Sequence, residues 1–122
     1  MNKILWETPE ESINGASFFT LSEKGLERIL TIKFGKKKIE IHFHRTMGYK
    51  YNHHRYSHDF VKIHECYEVL IEVVDSDWIK EIYECHGKII PCWETKHYAI
   101  SNENDGVYQF IAESFEIIEY SE

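Results

Sequence analysis

The sequence has little proline, glycine or cysteine, and it has no long apolar run. Two prolines and six glycines in 122 residues are too few for a linker-rich or low-complexity chain. No apolar stretch approaches the roughly 20 residues of a membrane-spanning helix, and the first residues do not form a secretory signal, so no membrane association is predicted. Three cysteines without a regular spacing favour free thiols in a reducing compartment, which predicts a cytoplasmic location.

Basic residues are also scarce, since 14 lysines and arginines face 21 acids and the net charge is −7. That average field repels a phosphate backbone, so nucleic acid is not a predicted partner. The only basic run, residues 36–38, lies between two strand-like segments and is interpreted as a hairpin loop. The excess of acids would instead steer the protein toward a basic partner.

Apolar residues make up 43% of the chain and aromatic residues 15%, which is enough material for one hydrophobic core. A chain of this length fits one ordinary domain and is too short for two. We therefore expect a single globular domain over residues 1–122.

Apolar and polar residues alternate in several segments, which predicts half-buried β-strands. The alternation is clearest at residues 30–34 and 39–43, on either side of a predicted four-residue loop. It continues to residue 51, so the second of these strands is expected to be long or to bend near Gly48. Further strands are predicted at residues 69–74, 97–101, 107–112 and 115–119, with an Asp105–Gly106 turn between the second and third of them.

One helix is predicted at Asp77–His86. Aspartate and serine before it can cap its first turn, its apolar residues fall on one stripe, and Gly87 is a natural stop. Antiparallel hairpins with one helix packed on a curved sheet give the predicted fold class, α+β.

Eight histidines suggest a metal site. His42 and His44 are two residues apart on a predicted strand, so both side chains project from one face, and His58, or alternatively His53 or His54, could supply a third ligand. The pair is similar to the His-x-His motif of the cupin family. However, the residues that follow contain no acid, and the second cupin motif is missing, so the cupin resemblance fails at the third ligand. The competing interpretation is a solvent-facing strand, because His42 and His44 alternate with Ile41 and Phe43.

Tyrosine and tryptophan are more abundant than a small core easily hides. Such side chains are frequent anchors of protein interfaces. The predicted protein-binding residues are Tyr49, Tyr51, Tyr56 and Trp93, and the wider set of aromatic side chains expected at the surface adds Trp78, Tyr98 and Tyr108. The alternative for each is a place at the edge of the core.

Several stretches together resemble small single-domain bacterial proteins of the immunity-protein type, which neutralise secreted toxins. They are the segments 47–51, 76–81, 96–100 and 111–116, within a region that covers about half of the chain. The resemblance implies a binding role and carries no catalytic motif, so no functional residue can be transferred from it.

Two functions follow as hypotheses. The first is a non-enzymatic protein-binding module with a basic protein partner, in its most concrete form immunity to a basic toxin, and it needs no cofactor. The second is a small β-rich enzyme that binds a divalent metal through His42 and His44. The sequence contains no phosphate-binding loop, nucleophile elbow or zinc-protease motif, and this favours the first hypothesis.

Overall fold

The computed structural model describes residues 2–9, 18–34, 36–53, 60, 66, 68–86, 94–102 and 106–120. Within these residues, nine strands form two sheets in which every pairing is antiparallel. The larger sheet has the order β1 (Lys3–Glu7), β6 (Val69–Glu72), β7 (Lys96–Asn102), β8 (Gly106–Ala112) and β5 (Gly48–His53). The smaller sheet has the order β2 (Phe18–Lys24), β3 (Glu27–Phe34), β4 (Lys37–His44) and β9 (Ser114–Tyr120).

The main core lies between the two sheets. Alternate residues of each strand point inward, as the alternating sequence pattern requires. At its centre the ring of Phe43 on β4 stacks on that of Phe110 on β8, with centroids 4.0 Å apart. The fully buried side chains around this pair include Leu30, Ile32, Ile41 and Ile100. Truncating Phe43 to alanine would cost about 3–5 kcal/mol, which shows how strongly this layer holds the sheets together.

Helix α1 (Asp77–His86) packs on the outer face of the larger sheet and has the predicted bounds. It begins where it does because the Ser76 hydroxyl oxygen accepts a hydrogen bond from the backbone N–H of Ile79 at 3.2 Å. The Tyr83 and Thr95 hydroxyls share a hydrogen bond of 2.6 Å, which ties the helix to the start of β7. No helix in the described part of the chain is long and apolar enough to cross a membrane.

The α+β fold class is therefore confirmed. Its layers differ from the expectation, because two sheets pack on each other and the helix covers the outside of one. The loop between β3 and β4 is also shorter than predicted, since the two strands pair as far as Phe34 and Lys37.

Of the two alternatives for the second predicted strand, one long strand to residue 51 is wrong, and the chain instead changes direction just before Gly48. The strand ends at His44, and Arg45 adopts a positive φ of 51°. The Thr46 N–H then donates to the carbonyl of Leu26 in the turn between β2 and β3 of the smaller sheet, and the Met47 N–H donates to the Ile111 carbonyl in the larger one. The chain thus crosses between the sheets here, and β5 becomes the last strand of the other sheet. Alternation reports which face is buried and carries no information on which strand is the neighbour.

Candidate protein-binding cleft

A cavity of about 320 Å³ lies beside the N-terminal end of α1, on the outer face of the larger sheet. We call it the α1–β5 cleft, because one of its walls is the first part of α1 and another is the side chain of Lys50 from β5. Its lining includes Lys50, Val73, Asp75, Asp77, Trp78 and Glu81. Three of these residues are acids, so the cleft combines negative charge with an aromatic ring.

A chain of buried polar side chains forms the floor of the cleft. Ser76 Oγ lies 2.7 Å from His97 Nδ1, and His97 Nε2 lies 2.8 Å from Gln109 Oε1. Because the glutamine oxygen can only accept, Nε2–H of His97 donates to it, and in the neutral imidazole Nδ1 then accepts the hydrogen of the Ser76 hydroxyl. Breaking such a buried chain leaves a polar group without a partner, at a cost of about 1–3 kcal/mol. The chain therefore fixes the start of α1 on β7 and β8.

Two residues of the larger sheet contact the ring of Trp78. The His97 imidazole meets it edge-on, with centroids 5.2 Å apart and planes at 82°. The ring also lies against Gly48, where an added Cβ would be 2.9 Å from Trp78 Cζ2. Only glycine leaves room for the ring at this point of β5, and the glycine thus marks a close approach between β5 and α1.

A face of this ring carries a cation. Lys50 Nζ lies over the Trp78 ring, 4.2 Å from its centroid, which is a cation–π contact. Among the described residues no carboxylate lies within 4.0 Å of Lys50 Nζ. The ammonium is therefore held by the ring and by the flexible four-carbon stem of an exposed lysine on β5.

The carboxylates of the cleft can pair with a further cation. Asp77 has a distant partner in Lys80, at 3.9 Å. Neither Asp75 nor Glu81 forms an ion pair within the described part of the chain. Glu84, also exposed, continues the stripe of Asp77 and Glu81 along α1. The result is a negative surface that surrounds a ring with a cation on it.

Tyr49 and Tyr51 lie on the opposite face of β5 from Lys50. They are 39% and 40% exposed, and their rings contact Phe110 and Tyr108 at centroid distances of 5.6 and 4.8 Å. Partial burial raises the pKa of Tyr49 above its usual value, and Tyr51 adds to the rise. The two tyrosines thus extend the main core to the edge of the sheet and expose part of their rings there.

The remaining aromatic predictions have different outcomes. Tyr98 and Tyr108 were expected at the surface and are 2% and 7% exposed, so that expectation is wrong, because both face the opposite sheet. Tyr56 and Trp93 lie outside the described residues, as does His58 of the predicted metal site.

His42 and His44 do share one face, the outer face of the smaller sheet. His42 Nε2 lies 2.9 Å from a Glu40 oxygen, and His44 Nδ1 lies 2.6 Å from a Glu27 oxygen. Each imidazole is therefore engaged with its own carboxylate. Within the described ranges no group of three histidine, cysteine or acidic side chains is arranged to hold a metal ion.

Cys66 is buried and has no place in a nucleophilic site. Burial raises the pKa of its thiol to about 11, so the reactive thiolate is scarce at neutral pH. The carbonyl of Cys66 accepts hydrogen bonds from the backbone and the hydroxyl of Ser101. Its contribution to the protein is packing.

Sequence reasoning placed Trp78 on the helix and among the exposed aromatic residues, and it missed the pairing with Lys50. The two residues are 28 positions apart, and only the placement of β5 in the larger sheet brings them together. Gly48 was the available signal, because a glycine within a strand often marks a close approach.

Comparison of the chain with protein-family models, curated proteins and solved structures gives no match. The fold and the cleft define a two-sheet α+β protein with an acidic, aromatic cleft beside its helix.

Proposed function

We propose that the protein is a non-enzymatic protein-binding module that receives a basic partner at the α1–β5 cleft. The observation that carries the proposal is the contact between Lys50 and Trp78. It places an ammonium on an aromatic ring in a cleft that three carboxylates line. A surface that holds one cation in this way is suited to a cationic side chain of another protein.

Charge supports the same partner. The net charge of −7 attracts a basic protein over long range, and the stripe of Asp77, Glu81 and Glu84 concentrates negative charge beside the cleft. Such charges increase the rate of encounter, whereas an aromatic anchor slows dissociation. Trp78 supplies that anchor in the cleft, and Tyr49 and Tyr51 extend the contact surface past the edge of the sheet.

In its most concrete form the proposal is immunity to a basic toxin. The resemblance of about half the chain to small proteins of the immunity type supports this form. The partner would then be a basic protein whose active surface is covered on binding. The location of a toxin gene next to the gene for this protein is a direct test of this form.

Charge reversal tests the surface. Glu81→Lys with Glu84→Lys adds four positive charge units beside the cleft, and lysine is tolerated toward the C-terminal end of a helix. Capture of the basic partner from the producing cell should weaken about tenfold, since exposed ion pairs each contribute up to about 1 kcal/mol. The captured protein is identified by mass spectrometry, and its net charge is read from its sequence.

The matched control is Glu7→Lys with Glu119→Lys. It changes the net charge equally at exposed positions on β1 and β9, away from the cleft. The proposal predicts that the control variant still captures most of the basic partner. It also predicts that the wild type and the control variant both lose the partner at high salt. Equal loss in the two double variants, or a captured protein without excess positive charge, would contradict it.

A further inference from the structure

We propose that Lys50 is an internal stand-in for the partner, and that a guanidinium or ammonium group of the partner displaces it from Trp78 on binding. This inference rests on the proposed function, and it adds the chemical group that enters the cleft. Before binding, Lys50 covers the ring. After binding, the partner's cation occupies that position and Lys50 turns outward to solvent.

The Trp78 ring has a fixed position, so one cation can replace another on it. The hydrogen bonds of Ser76 with His97 and with the Ile79 N–H fix the start of α1, and Gly48 leaves space for the indole. The position over the ring is therefore set by buried parts of the fold. Lys50 itself is exposed, and within the described part of the chain the Trp78 ring is its one charge-selective contact. Lys50 is consequently easier to move than the Trp78 ring that it contacts.

A cation from outside can make contacts that Lys50 does not make. It can approach the ring and also reach the carboxylates of Asp75 and Glu81, which have no ion pair within the described residues. A planar guanidinium is best suited, because it stacks on an aromatic face and donates two parallel hydrogen bonds to a carboxylate. The volume of about 320 Å³ is at the lower end of ligand pockets and fits one side chain. We therefore assign the cleft preferentially to arginine, with lysine second.

The test uses capped tripeptides of the form Gly-X-Gly, in which X is Arg, Lys or Gln. They are titrated into the whole protein while the indole N–H signals are followed by NMR. The signal of Trp78 is identified by its loss in Trp78→Phe. The Arg peptide should shift this signal with the highest affinity, the Lys peptide should follow, and the Gln peptide should leave it in place.

Lys50→Gln removes the charge of the stand-in and leaves a polar side chain that is one atom shorter. Release of the ring should raise the affinity for the Arg peptide about two- to fivefold, the range that an exposed cation–π contact represents. The matched control is Lys33→Gln, which removes one positive charge at an exposed position on β3 of the other sheet, away from the Trp78 ring and the carboxylates of the cleft. Its effect on the affinity should be clearly smaller.

The outcomes separate this inference from the proposed function. If Lys50→Gln and Lys33→Gln change the affinity equally, the stand-in role is wrong, and the acidic surface alone accounts for binding. If no peptide shifts the Trp78 signal but the basic partner is still captured, the site of a single cation is wrong and the binding function stands. If neither peptides nor a basic partner bind, both proposals fail.

Discussion

Gly48 and Trp78 fit together so closely that a side chain at the first would occupy the space of the second. A Cβ built on Gly48 would lie 2.9 Å from Cζ2 and 3.4 Å from Cη2 of the Trp78 ring. The absence of a Cβ at Gly48 thus allows the indole of α1 to lie where it does, and the ammonium of Lys50 lies over that indole. The cleft depends on this contact between two elements that are distant in sequence.

Gly48→Ala should therefore displace the indole and destabilise the protein. Overpacking of this kind typically costs about 1–3 kcal/mol, which urea unfolding would detect. The double variant Gly48→Ala with Trp78→Ala provides the control, because the added methyl group then has space. Its stability should be higher than the sum of the two single effects predicts. Strict additivity of the two changes would contradict the proposed contact.

The sequence predicted those parts of the fold that depend on local patterns. The bounds of α1 follow from the Ser76 cap and from the apolar stripe behind it, both of which are visible in the chain. The hairpins β3–β4 and β7–β8 follow from alternation on either side of a short loop. These elements need no knowledge of distant partners.

The parts that were missed depend on long-range pairing. Strand β5 has the same alternation whether it continues β4 or joins the other sheet, and the break at Arg45 leaves no strong local signal. The contact of Lys50 with Trp78 exists only because β5 lies beside β8, so the sequence could supply the two residues but not their pairing. The cleft beside α1 depends on the same long-range pairing.

Glu40 is expected to make the stability depend on pH. The hydrogen bond with His42 is the largest cause that holds the pKa of Glu40 below its usual value, and the Tyr120 hydroxyl and Lys38 contribute in the same direction. Since the pKa is lower in the folded state, the ionised carboxylate stabilises the fold above the unfolded pKa of about 4.3. That contribution is lost as the pH falls from there through the folded pKa.

Glu40→Gln should accordingly destabilise the protein at neutral pH, and the difference from wild type should shrink in acid. Urea unfolding at a series of pH values from about 7 to 3 measures this difference. Glu119→Gln, which alters an exposed carboxyl on β9, is the control. A difference for Glu40→Gln that stays constant over the whole range would show that its charge is not involved.

Cys66 should resist alkylation in the folded protein. Its thiol is buried and its pKa is raised to about 11, so both access and ionisation oppose the reaction. Iodoacetamide at neutral pH, followed by mass spectrometry of the peptide that contains Cys66, should find it unmodified until denaturant is added. Rapid modification of the folded protein would show that the segment opens readily.

The metal hypothesis predicts that Zn²⁺, Ni²⁺ or Fe²⁺ binds through both His42 and His44. In that case the wild-type protein gives a calorimetric isotherm and His42→Ala with His44→Ala removes it. Glu40 contacts Nε2 of His42 and Glu27 contacts Nδ1 of His44, so a shared ion would have to use the other ring nitrogens or displace these carboxylates. An isotherm that survives in the double variant, or none in the wild type, rules out the metal-dependent enzyme that this pair would define.

The central claim is that a basic protein binds at the α1–β5 cleft, and site-specific photo-crosslinking tests it most directly. A photoreactive amino acid is placed at Asn52, an exposed residue that shares the face of Lys50 on β5, and separately at Glu119 on β9. On irradiation in the producing cell, the account predicts one prominent adduct with a basic protein from position 52 and none from position 119. An adduct from position 119 without one from position 52, or an adduct with a protein that carries no excess positive charge, would contradict it.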